Sequence, residues 1–170
     1  MRINVAQLLR EQVGSSRSYD VDEEQHNLDG DEGVQSLRGQ ITLLRTDEGI
    51  LVSGVLEGKA TAVCSRCLGL FEFRIKLDIE EEYFSVMDIR TGLLSPGPDD
   101  PGAFTIDANH ILDTDEAVRQ YSLLAIPMKP LCHDDCAGLC PVCGKNLNTG
   151  SYSCRPSSTG SSSKTVLCSL

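Results

Sequence analysis

Phe71-Glu72-Phe73-Arg74-Ile75-Lys76-Leu77-Asp78-Ile79-Glu80 alternates apolar and charged side chains without a break. Successive side chains of a strand point to opposite faces, so this stretch reads as a strand with one face buried and one wet. Upstream, Gln40 to Arg45 and Ile50 to Val63 read as two earlier strands, and Asp47-Glu48-Gly49 reads as the hairpin connection between them. Gly54 and Gly58 mark a bulge or a close approach within the second of these. From Val34 to Phe84 the texture is therefore that of an antiparallel meander.

Outward from the meander the texture changes. Ser95-Pro96-Gly97-Pro98-Asp99-Asp100-Pro101-Gly102 is incompatible with a regular element and sets a loop over about residues 90–104. A helix is expected next, capped by Asp113 with Glu116 completing a capping box, because Val118, Tyr121, Leu124 and Ala125 recur at helical spacing and Pro127 ends the run. Its apolar stripe is expected to pack on the protein's own sheet. At the other end, Arg2 to Val5 reads as a short strand followed by a helical turn around Leu8 and Leu9. Residues 13–33, with Asp20, Asp22, Glu23, Glu24, Asp29, Asp31 and Glu32, read as a solvated acidic loop. The expected class is α+β: a scaffold over residues 1–126, a Cys-rich segment over 127–154, and a polar tail over 155–170.

Composition narrows the function classes. With 170 residues and 40% hydrophobic content the chain has material for one real core. The formal net charge is −10, whereas nucleic-acid affinity comes chiefly from Lys and Arg on phosphates. An acidic surface suits basic partners better. The start, Met1-Arg2-Ile3-Asn4-Val5, has no apolar signal region, and no apolar run reaches the roughly 18 residues of a membrane span. The expectation is a soluble, cytoplasmic protein. Its 8 cysteines are then expected to be metal ligands or free thiols rather than disulfides.

Cys132, Cys136, Cys140 and Cys143 fall within one short C-terminal run, and the last pair is a Cys-Pro-Val-Cys-Gly knuckle. Zinc takes four thiolate or imidazole ligands in a tetrahedron, and a two-residue gap lets one tight turn present two sulfurs to one ion. Gly144 permits the turn that a β-carbon obstructs. These four cysteines are the expected zinc ligands, with Cys154 an alternate. A second pair, Cys64 and Cys67, lies at the end of an expected strand. It supplies a rival tetrad with Cys140 and Cys143, or a redox CxxC of the kind that needs a helix start after its first cysteine. Catalysis finds little support, since a cysteine nucleophile needs a histidine base. The three histidines are His26, His110 and His133, of which His133 adjoins Cys132 as a substitute ligand or surface residue.

Pro127-Met128-Lys129-Pro130-Leu131-Cys132, then Cys136-Ala137-Gly138-Leu139-Cys140-Pro141-Val142-Cys143-Gly144-Lys145-Asn146-Leu147-Asn148, resemble the C-terminal signature of the YceD family, the large ribosomal RNA subunit accumulation proteins. Ile3-Asn4-Val5 with Leu8-Leu9, and Cys64-Ser65-Arg66-Cys67-Leu68, match at the corresponding places, so the resemblance covers residues 1 to about 154. It implies a role in accumulation or maturation of 23S ribosomal RNA and a link to synthesis of a zinc-ribbon protein of the large subunit. A large-subunit protein or a ribosomal RNA precursor is the implied partner, with no small-molecule substrate and no enzymatic activity. Relatives often carry Cys-x-Cys where this chain has Tyr152 and Cys154, and end in an Asp-Pro-Arg-Leu stretch. This chain ends instead in a run of Ser, Thr and Gly, which points to a frame change near residues 154–160. On that expectation Cys168 is incidental and residues past about 155 are without native order. Two other functions remain open from the residues: RNA binding through a local patch of Arg66, Arg74, Lys76, Lys129 and Lys145, or a redox or zinc-relay role for Cys64 and Cys67.

Overall fold

Alternating burial along the chain organises the structure, a computed structural model that describes residues 1–27, 33–95, 101–150, 153–156 and 166–169. The main sheet is formed by β2 (Ser16–Asn27), β3 (Gly33–Arg45), β4 (Gly49–Val63), β5 (Leu70–Ser85) and β6 (Phe104–Ile106), in that spatial order. β2 to β5 are antiparallel neighbours, and β6 adds in parallel to the end of β5, where Phe104 stacks on the Tyr83 ring at 5.1 Å between centroids. β1 (Arg2–Asn4) pairs with β7 (Ile111–Asp113), Ile3 opposite Leu112. α1 (Ala6–Arg10) and α2 (Asp115–Ala125) complete the scaffold. The α+β class and the meander are as the alternation implies.

Residues 16–27 differ from the expected acidic loop. They form edge strand β2, paired with β3 along its whole length. Arg17, Tyr19, Val21 and Glu23 turn partly or fully inward, while Ser18, Asp20 and Asp22 stay exposed. Asp20 and Asp22 lie on the wet face and meet complementary groups there. Asp22 pairs with Arg38 at 2.9 Å and Asp20 accepts from the Gln40 amide at 3.1 Å. Cross-strand pairs of this kind stabilise an edge, and exposed charge along it opposes pairing with other chains. Residues 28–32 of the expected loop lie outside the described residues.

In β3 the buried parity switches from Val34 to Leu37, Ile41 and Leu43. A bulge explains it: the β3–β4 register steps from Val34–Ala60 to Ser36–Lys59, leaving Gln35 without an opposite residue. One extra residue restores the correct face to both ends of the strand. Gly54 and Gly58 act by close approach. Each sits opposite large residues, Gly54 between Ile41 and Ile79 and Gly58 between Leu37 and Ile75. A β-carbon at Gly58 would come within 1.9 Å of the Ser36 carbonyl oxygen.

α2 packs across β5, with Ala117 and Val118 buried and Ser122 beside them. The Tyr121 hydroxyl donates to the Glu81 carboxylate at 3.0 Å. Two expectations fail here. Asp113 belongs to β7 and Thr114 holds the cap position without a side-chain bond, so there is no capping box. Asp113 instead accepts from Asp115 N–H at 3.0 Å and from Arg2 at 2.8 Å, and Glu116 is held by Arg119 and Gln120. Leu124 is 82% exposed, because the stripe that faces the sheet runs through residues 117, 118, 121 and 122. Beyond the scaffold, β8 (Ser153–Pro156) and β9 (Val166–Ser169) pair antiparallel, and the remainder of the expected structureless tail, residues 157–165 and 170, lies outside the described residues. Residues 96–100, in the expected loop, also lie outside them.

Candidate metal centre

β4 carries its inward parity through Ala60 and Ala62 to Cys64, which is fully buried where the strand ends. The chain then folds into a tight turn. Leu68 N–H donates to the Cys64 carbonyl at 2.9 Å, and Cys64 N–H donates to the Gly69 carbonyl at 2.9 Å. Leu68 has φ 56°, the left-handed conformation that lets the turn reverse. Cys64 and Cys67 thus point their sulfurs to one side of a knuckle that tops the β4–β5 hairpin.

The segment after α2 comes back to meet this turn. Ser65 N–H donates to the Pro130 carbonyl at 2.8 Å, and the Arg66 guanidinium donates to the Cys136 carbonyl at 3.0 Å and the Asp134 carbonyl at 3.3 Å. Gly138, at φ 75°, passes so close that a β-carbon there would lie 3.1 Å from the Arg66 carbonyl oxygen. These contacts bring Cys132 and Cys136 onto the knuckle. The sulfurs of Cys64, Cys67, Cys132 and Cys136 all lie within 4.8 Å of one another. Cys64 to Cys136 and Cys67 to Cys132 are each 3.8 Å apart, and the cysteines are free thiols.

Two features test whether a metal fits. Four sulfurs at 2.3 Å from a tetrahedral zinc stand about 3.8 Å from each other, which follows from the Zn–S distance. The two sulfur pairs have that separation. The electrostatics agree. Backbone N–H groups, of Cys67 foremost, hold the Cys64 thiol down to about 6 against the opposing effect of burial. Burial works against ionisation of Cys136, but the Asn148 amide and the Gly138 N–H outweigh it and leave that thiol below its ordinary value. Burial, together with the neighbouring Cys136, Cys64 and Cys67 sulfurs, pushes the Cys132 thiol up to about 12. Clustered thiolates repel, and a cation at their centre removes that conflict. The donor set is all sulfur, the preference of zinc among abundant divalent ions.

The expected tetrad is split by the fold. Cys132 and Cys136 join Cys64 and Cys67, whereas Cys140 and Cys143 do not enter the group. The side chain of Cys154 lies outside the described residues. His133 Nδ1 is 3.1 Å from the Cys132 sulfur on the exposed side. Asn148, which the sequence places in the signature but not among the expected ligands, donates its amide to the Cys136 sulfur at 3.3 Å and its carbonyl accepts from Ala137 N–H at 2.8 Å. Among the candidate RNA contacts, Arg66 is engaged with the loop carbonyls. Arg74 and Lys76 lie on the exposed face of β5, interleaved with Glu72, Asp78 and Glu80. Lys129 is exposed, and the Lys145 carbonyl accepts from Cys140 N–H at 2.8 Å. No helix among the described residues is long and apolar enough to cross a membrane.

The chain is 30% identical over 100 residues to uncharacterized proteins of Mycobacterium bovis and Mycobacterium tuberculosis, covering 59% of this chain and 46% of each relative. It is 23% identical over 103 residues to an uncharacterized protein of Mycobacterium leprae, covering 59% of this chain and 44% of that one. The chain thus spans less than half the length of these relatives. No solved structure matches it. The family model for the large ribosomal RNA subunit accumulation protein YceD matches residues 52–163, a stretch that contains both halves of the four-cysteine cluster, and the chain belongs to that family.

Proposed function

We propose that this protein is a cytoplasmic, non-enzymatic accessory factor in large-ribosomal-subunit biogenesis, acting in accumulation or maturation of 23S ribosomal RNA, with a structural zinc. The observation that carries the zinc is the closed sulfur cluster of Cys64, Cys67, Cys132 and Cys136. Four protein ligands fill a tetrahedron and leave no position for substrate, which is the pattern of structural rather than catalytic zinc. The ribosomal role rests on family membership, whose description names large ribosomal RNA subunit accumulation. The net charge of −10 supports a basic large-subunit protein as the contact, with a ribosomal RNA precursor behind it. In cells depleted of the protein, 23S RNA is expected to fall relative to 16S RNA. Wild type should restore the ratio and Cys64→Ser/Cys67→Ser should not. An unchanged ratio on depletion contradicts the ribosomal reading.

A redox or zinc-relay role for Cys64 and Cys67 has one observation in its favour, the Cys64 thiol held down to about 6. The same depression prepares a metal ligand. Alkylation separates the two: a thiol that reacts rapidly in the metal-loaded protein favours the relay, and one that reacts only after chelation favours the structural site.

A further inference from the structure

The two edges of β5 are used unequally. β4 pairs with one of them from Leu70 to Phe84 without a bulge. On the other edge, β6 adds in parallel at Tyr83 to Ser85. The Tyr121 hydroxyl, which accepts from Glu80 N–H at 3.4 Å and lies 3.3 Å from the Glu80 carbonyl, covers one residue more. Alternate residues of a strand present their backbone donors and acceptors to the same edge. Glu72, Arg74, Lys76 and Asp78 therefore present theirs on the side of Glu80, and no described residue bonds these groups there. Sheets blunt such an edge with a bulge, a proline, a charge turned inward or charge along the edge. Of these β5 has only the last, in the order Glu72, Arg74, Lys76, Asp78, while Phe71, Phe73, Ile75 and Leu77 turn inward. Charge in a fixed order admits one partner as well as refusing others.

Apolar surface accompanies the open edge. From Tyr121, which touches β5 at Glu80, the chain runs on to Pro130, whose carbonyl holds Ser65 N–H at the other end of the strand. Leu124 and Met128 stand exposed on that path. The Phe71 and Phe73 rings, 5.7 Å apart, are only partly buried. We propose that this edge docks an extended segment of another protein, added as a strand beside β5. Its apolar side chains would lie toward Leu124 and the two phenylalanines, and its charges would run basic, acidic, acidic, basic opposite Glu72, Arg74, Lys76 and Asp78. Main-chain bonds give such a complex its affinity, and the side chains choose the partner. The same order opposes a second copy of this chain, since antiparallel pairing centred on Ile75 sets Glu72 against Asp78 and Arg74 against Lys76. The edge takes no ligand from the metal centre and follows from β5 alone, so it stands without the ribosomal reading.

The test is amide exchange and chemical shift by NMR on the full chain, alone and with two synthetic peptides, Lys-Val-Glu-Val-Glu-Val-Lys and its charge reversal Glu-Val-Lys-Val-Lys-Val-Glu. In the free chain the amides of Glu72, Arg74, Lys76 and Asp78 are expected to exchange roughly tenfold or more faster than those of Phe73, Ile75 and Leu77. The first peptide should shift and protect those four amides, and the reversed one should bind about tenfold more weakly. Lys76→Pro, which removes an N–H that the fold leaves unbonded, should keep the meander and lose the peptide. Four amides already slow in the free chain, equal affinity for the two peptides, or no response to either would overturn the proposal. So would shifts at Arg74 and Lys76 with oligouridine and none with peptide, or protection that rises with protein concentration alone, the mark of a second copy.

Discussion

At the scale of single residues, Asn148 shows how a side chain with no metal-binding chemistry enters a candidate metal centre. Its amide donates to the Cys136 sulfur and its carbonyl accepts from Ala137 N–H, so one residue both tempers the thiolate and fixes the loop that carries it. Outer partners of this kind typically contribute 10–100-fold in metal affinity. Asn148→Ala is therefore predicted to weaken zinc binding by about that range in chelator competition, with zinc per chain unchanged at saturation. An unaltered affinity would show that the contact is incidental. Gly58 is the counterpart in the core. Gly58→Ala sets a methyl against the Ser36 carbonyl at 1.9 Å, and the strands must part to admit it. A loss of roughly 2 kcal/mol in denaturant unfolding is expected. The sequence marked Gly58 as a bulge or a close approach, and only the register chose between them. It set Asn148 at the end of the family signature but gave no sign of its contact with Cys136, which depends on two turns meeting in space.

At the scale of elements, legibility follows the number of apolar residues per strand. β5 declares itself because every second residue from Phe71 to Ile79 is large and apolar. β2 conceals itself because Tyr19 and Val21 are its chief inward apolar residues, and charges crowd its wet face until the run reads as a loop. Like-charge blocks stay solvated unless a neighbour supplies the opposite sign. Here β3 supplies Arg38. α2 lies where the spacing sets it, and Val118, Tyr121 and Ala125 of its expected stripe pack on the core. Leu124 alone of that stripe points away, and the sheet receives Val118, 3% exposed, and Ala117 instead. Val118→Ala is predicted to cost about 2 kcal/mol in thermal or denaturant unfolding, from lost burial and the cavity left behind. Leu124→Gln should change stability by less than about 0.5 kcal/mol. The reverse order would mean that the helix presents its other face.

At the scale of the whole molecule, a metal held by the four-sulfur cluster would be a cross-link. Cys64 and Cys67 top the β4–β5 hairpin, and Cys132 and Cys136 belong to the segment that follows α2. That segment is poor in buried apolar residues, so a bound metal is what would order it. Structural zinc in small modules contributes on the order of 10 kcal/mol. The sequence showed two CxxC knuckles and a Cys-x-x-x-Cys pair, but spacing alone does not say which pairs share an ion. Partition depends on how the chain returns to the hairpin, and that is set by Ser65, Pro130, Arg66 and Gly138 together. On this reading one zinc joins the hairpin to the C-terminal segment. It is tested most directly by the zinc content of Cys64→Ser/Cys67→Ser against wild type, both purified without chelator and probed by limited proteolysis over residues 127–139. One zinc fewer per chain and rapid cleavage in that segment, with the meander intact, are expected. Equal zinc and equal resistance would contradict it.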